Sequence, residues 1–173
     1  SLSLSAASGR QDVIVRDISR QVADQRQKLQ LSLRAALDEL DRSPDLADLV
    51  RASTPSPSGQ VPTDASFLVW SRTTLATRRL TSSVELYDGG GRMVSRFALN
   101  LPETQVDQAW QEASCDWELF EEVSPFFAEE RRLLHAGRGV CVDGLVIGSI
   151  VVHVVLDYAN LPFLAAQNPA KLA

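Results

Sequence analysis

The segment Leu145–Leu156, LVIGSIVVHVVL, decides the fold of this chain. Its many β-branched residues favour an extended backbone, because branching at Cβ restricts χ1 and lowers helix propensity. The segment is too short to cross a bilayer, which takes about 20 apolar residues. Apolar side chains occupy both alternating sets of positions, which is typical of a central strand covered on both faces. We therefore predict a sheet with this strand at its centre, and the rest of the chain must supply both covers.

The composition is that of one ordinary globular domain. The chain has 173 residues, of which 45% are hydrophobic and 23% are charged. Its net charge is −5 and it has no basic stripe that could neutralise phosphates, which argues against nucleic acid as a partner. No apolar run of membrane-spanning length and no signal-peptide pattern is found in the sequence. Because it begins at Ser1 rather than Met, we expect it to be a piece of a longer protein.

Catalytic motifs are missing from the sequence, which has no HExxH, Walker loop, GxSxG or GxGxxG. Cys115 and Cys141 lack the CxxC spacing of a zinc or redox site. The run Gly89–Gly91 lies between two strand patterns with no lysine after it, so we interpret it as a turn. We expect this fragment to have no enzymatic activity, no cofactor and no metal site.

A long amphipathic helix is predicted to start at Arg10 and to end or kink at Ser43-Pro44. Its about 33 residues would measure about 50 Å. Ser1–Gly9 has no periodicity and is expected to be frayed. The helix could pack along its own domain, but a domain of this size cannot cover so long a stripe, so its first half is predicted to pair with a second copy. The residues expected at this homodimer contact are Val15, Ile18 and Val22.

Two shorter helices are predicted to follow. Asp45–Ala52 is a short helical piece, and the proline-rich segment Ser53–Asp64 is an irregular loop. Apolar residues then recur at helical spacing over residues 65 to 77, with Asp64 as the N-cap.

Five strands are predicted after these helices. Residues 82–101 alternate about Asp88-Gly89-Gly90-Gly91, which is strong hairpin chemistry because glycine accepts positive φ. A connector, Glu103–Ser114, leads to strands at Trp117–Val123 and Glu130–Val142 and then to the apolar fifth strand. The fold class is therefore α+β, with a long N-terminal helix on one face of a five-stranded antiparallel sheet. We expect the fifth strand beside the first, and the short helix and connector on the other face, where they could enclose a small pocket.

Three stretches give the chain a family resemblance: SSVELYDGGGRMVSRFALNLP, RRLLHAGRGV and GSIVVHVVLDYANLPFL. With the order of elements, they resemble the extracytoplasmic PAS-like sensor domains of bacterial histidine kinases, called Cache or PDC domains. The resemblance implies a periplasmic domain of an inner-membrane protein, held by flanking transmembrane helices, that binds a small molecule and passes the signal through its terminal helices. It divides the chain into a helical part (1–52), a PAS-like sensor domain (53–164) and a truncated connector (165–173). The Arg/Tyr/Asp constellation with which such domains often bind amino acids or carboxylates is not matched here.

Candidate site residues follow from this arrangement. An arginine near the pocket could hold an anion bidentately, and a histidine could respond to pH because it ordinarily titrates near pH 6.5. The alternative interpretations are that the arginines are solvated at the surface and that other candidates are rim residues. The tryptophans and histidines, His153 included, could instead be ordinary core residues. The acidic run that includes Glu118, Glu121 and Glu122 is interpreted as a solvated face, with a divalent-cation site as the alternative. The candidate ligand-binding residues are Trp70, Arg72, Arg78, Tyr87, Arg96 and His135.

A disulfide between Cys115 and Cys141 is a further prediction. Folding the third and fourth strands about a turn near residues 124–129 brings these positions roughly opposite each other, although a shift of one residue would separate the side chains. Three functions remain open from the sequence: the sensor domain of a histidine kinase, the sensor domain of a chemoreceptor or cyclic-dinucleotide enzyme, and a soluble adaptor or dimerisation module built on the long helix.

Overall fold

The computed structural model describes residues 2–54, 57–102, 114–126 and 129–156. The predicted connector and the C-terminal segment therefore lie largely outside the described residues. The helices are α1 (Leu2–Asp41), α2 (Leu46–Ala52), α3 (Asp64–Ser71) and α4 (Thr74–Thr77). The strands are β1 (Ser82–Asp88), β2 (Met93–Leu99), β3 (Glu118–Phe126), β4 (Glu129–Val142) and β5 (Leu145–Val155).

The sheet has the predicted topology. Its order is β2-β1-β5-β4-β3, and every neighbouring pair is antiparallel. The apolar strand β5 is thus central and lies beside β1, and from Ile150 onward its side chains are buried. The predicted fold class, an α+β fold of the PAS-like type, is confirmed.

The chain divides into two compact units, with the boundary inside α1 between Leu31 and Ser32. Residues 32–156 form the unit that carries the sheet, so the C-terminal part of α1 and all of α2 belong with the sheet rather than with a separate helical part. Buried residues in this part of α1 include Leu33, Ala36 and Leu40.

Helix α1 is longer than predicted. It begins at Leu2, so the expectation of a frayed segment before Arg10 is wrong. Leucine, serine and alanine in this segment are compatible with a helix, and Gly9 costs only about 1 kcal/mol relative to alanine. The helix ends one residue after Leu40, where Pro44 prevents its continuation.

The second predicted helix is divided and lies on a different face from the one expected. α3 ends at Ser71 and α4 begins at Thr74, and the N-cap is Thr63 rather than Asp64, with no capping hydrogen bond from its side chain. Trp70 of α3 donates from Nε1 to the Ser82 hydroxyl at 3.0 Å.

Contacts of α1 and α2 place these helices on that same face of the sheet. Glu39 accepts hydrogen bonds from the backbone N–H and the hydroxyl of Thr74, which joins α1 to α4. Asp41 pairs with Arg138 of β4 at 2.9 Å. Val50 of α2 lies against Gly148 of β5. The C-terminal part of α1 and the helices α2, α3 and α4 therefore pack on one face, because the apolar side chains of β1, β4 and β5 point there.

The apolar face is formed by alternate residues of the strands. Its fully buried members in the three inner strands include Val84, Leu86, Ile150, Val152 and Ala136. On the opposite face, the buried residues include Glu85, His135 and His153, with an apolar cluster of Leu101, Leu133 and Val155 beside them. The two faces of the sheet thus differ in chemistry, since only the second combines apolar residues with a buried ionisable cluster.

A disulfide joins Cys115 to Cys141, with the two Cα atoms 6.0 Å apart. The ladder of β3 and β4 pairs Glu118 with Gly137, a register that extrapolates to Val140 opposite Cys115. Cys115 precedes β3 and is free of the ladder, so it can reach Cys141 instead. The bond fixes the entry to β3 against the end of β4.

We predict that Gly148→Ala destabilises the domain. A Cβ at this position would lie 2.4 Å from the Tyr87 carbonyl oxygen and 2.8 Å from Val50. Overpacking against backbone of this kind costs about 1–3 kcal/mol. Urea unfolding measures the effect, with Gly90→Ala as the control, since its Cβ would meet only the Asp88 carboxylate oxygen at 3.4 Å. Equal unfolding midpoints for the two variants would contradict the close approach of β1 and β5.

We also predict that the double variant Cys115→Ser/Cys141→Ser loses about 3.5 kcal/mol of unfolding free energy, the chain-entropy value for a loop of this length. The two cysteines are 26 residues apart. Denaturant unfolding measures the loss, and wild-type protein unfolded in the presence of a reductant should have the same free energy of unfolding as the double variant. Intact mass after alkylation without reduction gives an independent check, since two alkylated cysteines would refute the bond.

Candidate functional site

The candidate site is a chain of four ionisable side chains that crosses the polar face of the sheet. Glu122 of β3, His135 of β4, His153 of β5 and Glu85 of β1 supply one group each. The strand register accounts for this alignment. His135 and His153 occupy directly paired positions in the β4–β5 ladder, and each glutamate lies diagonally across from its histidine on the same face.

Three short contacts connect the chain. Glu122 Oε1 lies 2.7 Å from His135 Nε2, and Glu85 Oε1 lies 2.6 Å from His153 Nε2. Between them, the two Nδ1 atoms of His135 and His153 are 2.5 Å apart. The two rings meet edge to face, with centroids separated by 4.7 Å. Each ring therefore uses both of its nitrogens, one toward a carboxylate and one toward the other histidine.

One end of the chain is buried and the other is open. The side chains of His135, His153 and Glu85 are 0%, 2% and 5% exposed, whereas that of Glu122 is 43% exposed. Phe120 stacks on the His135 ring at 4.6 Å and covers it beside Glu122. Proton exchange between the interior of the sheet and water can therefore take place through Glu122.

Glu85 is further contacted by Arg96 and Tyr87. Arg96 of β2 is paired with Glu85 across the hairpin, and its Nε lies 3.5 Å from Glu85 Oε2. The Tyr87 hydroxyl donates to Glu85 Oε1 at 3.3 Å. The arginine supplies a positive charge at the buried end, which offsets the cost of placing a carboxylate there.

The geometry fixes how many protons the four hydrogen-bonded side chains hold. A neutral imidazole carries one N–H and an ionised carboxylate carries none. If both histidines donate from Nε2 to their glutamates, both Nδ1 atoms present lone pairs to each other at 2.5 Å. One more proton between them turns this repulsion into a hydrogen bond. Three contacts therefore need three protons, and the four groups together carry a charge of −1.

These three protons can be distributed in more than one way. With both glutamates ionised, the histidine pair holds the additional proton and is a singly charged imidazole–imidazolium pair. With the proton on Glu122, this carboxyl group donates to His135, which donates from Nδ1 to His153. The two arrangements differ only by proton shifts along existing hydrogen bonds, so the chain has the connectivity of a proton relay.

A second positive charge on the pair is disfavoured. Burial lowers the pKa of His135 below its ordinary value of 6.5, the neighbouring His153 lowers it further, and Glu122 opposes both effects. The folded protein therefore binds a proton at His135 less readily than the unfolded chain does. The resulting stabilisation is complete above pH 6.5 and is lost as the pH falls from 6.5 toward the folded-state pKa.

Ser83 adds a polar atom beside the pair. It lies directly opposite His153 in the β1–β5 ladder and is fully buried. Its hydroxyl oxygen has no hydrogen-bond partner among the described residues. The polar face thus offers an acceptor next to His153 that the four-group chain does not use.

The six predicted ligand-binding residues separate into two groups. Tyr87, Arg96 and His135 lie on the polar face and belong to this cluster. Trp70 lies on the apolar face, where it packs against Phe97 at 4.8 Å between ring centroids. Arg72 is exposed and pairs with Asp45 at 2.8 Å, and Arg78 is exposed at the end of α4. The structure does not bring these last three to the cluster.

Three members of this four-group chain, Glu122, Glu85 and His153, were not among the predicted site residues, and His153 was interpreted as a core histidine. Glu122 belongs to a run interpreted as a solvated face, and Glu85 is an alternating polar residue of the hairpin. The available signal is a buried-strand histidine, His153, combined with a second histidine on the preceding strand. A contact between them follows only if the register of β4 and β5 is known.

Of the predicted dimer contact, Val15 is 61% exposed, and the side chains of Ile18 and Val22 lie outside the described part of the structure.

A groove of about 410 Å³ is the second candidate site. It lies beside the disulfide and is lined by Asp41, Pro44 and Arg138, among others. Its charged groups are already engaged, since Asp41 bonds to both Arg138 and Trp117. The histidine chain is therefore the stronger candidate.

Two further site classes were tested in the described residues. Within them, no group of three or more His, Cys, Asp or Glu side chains is arranged to hold a metal ion. Across the same residues, no helix combines the length and the apolar character needed to cross a membrane.

We predict that Glu85→Gln lowers the free energy of unfolding at neutral pH by roughly 1.5–3 kcal/mol, the range for hydrogen bonds to charged groups. The substitution removes the charge that faces both His153 and Arg96. Glu121→Gln is the matched control on the other face, where Glu121 is 43% exposed and lies 3.8 Å from Arg132; we expect it to change stability by less than about 1 kcal/mol. Similar losses in both variants, measured by urea unfolding, would argue against a buried carboxylate at Glu85.

Comparison with known proteins identifies the fold. No protein-family model and no curated protein matches the chain. Among solved structures, a domain of a protein assigned to the sensory box/GGDEF family from Vibrio parahaemolyticus is similar, with a TM-score of 0.52, 14% identity, and coverage of 90% of this chain and 64% of that one.

Two other solved structures match at lower TM-scores. The extracellular domain of a protein described as a histidine kinase has a TM-score of 0.43 and 13% identity, over 91% of this chain and 64% of that one. Methyl-accepting chemotaxis protein X has a TM-score of 0.42 and 11% identity, over 98% of this chain and 66% of that one. The chain thus spans about 64% of the length of the first two structures. At the level of the fold, the predicted resemblance to PAS-like sensor domains is confirmed.

Proposed function

We propose that this chain is the extracytoplasmic sensing domain of a membrane-bound signalling protein, and that the parent protein is a sensor histidine kinase. The observation that carries the sensing role is the fold: a five-stranded antiparallel sheet preceded by a long helix, similar over 90% of the chain to a domain of a sensory box/GGDEF family protein. The assignment of the parent as a histidine kinase rests on the family resemblance of the sequence. In this arrangement the terminal segments connect the sensing domain to its output.

Two features of the structure support the proposal. The buried Glu122–His135–His153–Glu85 chain places titratable groups where a change in their environment alters the central strand pair. The disulfide between Cys115 and Cys141 fits an oxidising compartment, because such bonds are rare in a reducing cytosol. An extracytoplasmic location accounts for the bond.

The long helix α1 is proposed to pair with its counterpart in a second copy. Val15 is exposed, as a contact residue of an isolated protomer would be. A parallel pair is expected, because anchored protomers enter the membrane on the same side. Such a homodimer could pass a change in the sheet to the output domain.

The parent protein tests this proposal. We expect an apolar segment of about 20 residues on each side of this chain and a kinase core downstream. The purified parent should incorporate phosphate from ATP on a histidine, as an acid-labile and base-stable product. A protease added outside intact spheroplasts should cleave a site introduced into the exposed residues 57–60.

Each alternative gives a different result. Synthesis of a cyclic dinucleotide would assign the parent to the GGDEF class, and methylation with no kinase activity would assign it to the chemoreceptors. A parent without flanking apolar segments, with the introduced site protected from external protease, would favour a soluble adaptor and overturn the extracytoplasmic proposal.

A further inference from the structure

We propose that the chain Glu122–His135–His153–Glu85 is a proton-binding site and that the signal received by this domain is the external proton concentration. The inference rests on the proposed sensing function and adds the identity of the signal. It is argued from the number of protons that the chain can hold, from the exposure of one end and from its position in the sheet.

The four groups hold three protons in the described geometry, and the hydrogen-bonded histidine pair has no place for a fourth. A fourth proton bound on this pair would make both imidazole rings fully charged, so that two N–H groups would face each other across the present Nδ1–Nδ1 distance of 2.5 Å. Two donors at that separation repel sterically and electrostatically. The His135–His153 contact must therefore open when the fourth proton is bound.

The position of the pair transmits this opening to the sheet. His135 and His153 are directly opposite in the β4–β5 ladder, and β5 also bonds to β1 along its length. A ring that leaves the contact must rotate out of a fully buried position or push the strands apart. The hydroxyl of Ser83, opposite His153, has no partner within the described ranges and offers an acceptor for a displaced N–H.

The route for the proton is Glu122. Its side chain is 43% exposed while it contacts the fully buried His135, so the pair exchanges protons with water without unfolding of the domain. At the other end, Arg96 lies beside Glu85 and opposes further positive charge there. Protons therefore enter the site from the β3 edge of the sheet.

Among the side chains that the structure describes, the charged and titratable groups on this face come from four strands. Besides the four members of the chain they are Tyr87 of β1, Arg96 of β2, Glu118 of β3 and Arg131 of β4, by their register positions. Burial and His153 lower the pKa of His135 from 6.5, and Glu122 raises it. The fourth proton is thus expected to bind below pH 6.5, and removal of the Glu122 charge should move the transition to lower pH.

Histidine-resolved NMR of the 173-residue chain tests the site. In the presence of a chelator, the ring signals of His135 should change in one transition below pH 6.5, and the amide signals of β4 and β5 should change with them. Glu122→Gln should shift this midpoint to lower pH, because the charge that stabilises the protonated His135 is removed. Glu121→Gln, on the opposite face, should leave the midpoint unchanged.

A second variant keeps the test independent of the exposed carboxylate. His135→Gln retains a group that can hydrogen-bond to both neighbours but does not titrate, so the concerted β4–β5 transition should disappear while the fold is retained. If this variant fails to fold, the comparison of Glu122→Gln with Glu121→Gln alone tests the proposal. A His135 transition that leaves the amide signals of β4 and β5 unchanged, or equal midpoints for Glu122→Gln and Glu121→Gln, would overturn the proposal.

Measurements on the parent protein distinguish a failure of this inference from a failure of the proposed sensing function. Its output should change with external pH below 6.5, and the Glu122→Gln parent should respond only at lower pH. An output that follows another stimulus but ignores pH would overturn proton sensing and leave the sensing function standing. A pH transition in the domain with no change in any output would overturn the inference that the transition is a signal.

Discussion

The direct pairing of His135 with His153 across β4 and β5 is the constraint on which the rest of the polar face depends. Two imidazole rings in facing positions of a buried ladder must be hydrogen-bonded, because unpaired polar groups in a sheet interior are costly. Glu122 and Glu85 satisfy the outer nitrogens, and a shared proton satisfies the inner ones.

Much of the fold could be predicted from the sequence, because the relevant signals are local. The glycine run after Asp88 specifies the first hairpin, and the apolar run from Leu145 specifies a central strand. The face chosen by α3 could not be predicted, since amphipathic periodicity indicates that a helix buries one side but not what it packs against. Trp70 was expected near a ligand and instead bonds to Ser82 on the apolar face.

A single irregularity in the β4–β5 hairpin prevents the site from being predicted. If the ladder continued without interruption from the pair Val142–Leu145, His135 would lie opposite Val152, and His153 would point to the other face. A β-bulge between Val140 and Cys141 shifts the register by one residue and brings the two histidines together. A bulge leaves little trace in a single sequence, so neither the pair nor its two carboxylates could be derived.

Energetics explain why such a cluster implies sensitivity to its surroundings. Replacing a buried ionic network by well-packed apolar residues is often neutral or stabilising, so the network does not serve as the main source of stability. Its stability instead depends on a fixed number of protons, since the Nδ1 contact is attractive with one shared proton and repulsive with none or two. A purely apolar pair at positions 135 and 153 would hold β4 to β5 equally at every pH. The observed pair makes the central ladder of the sheet conditional on proton occupancy, and the exposed Glu122 keeps that occupancy in equilibrium with the solvent.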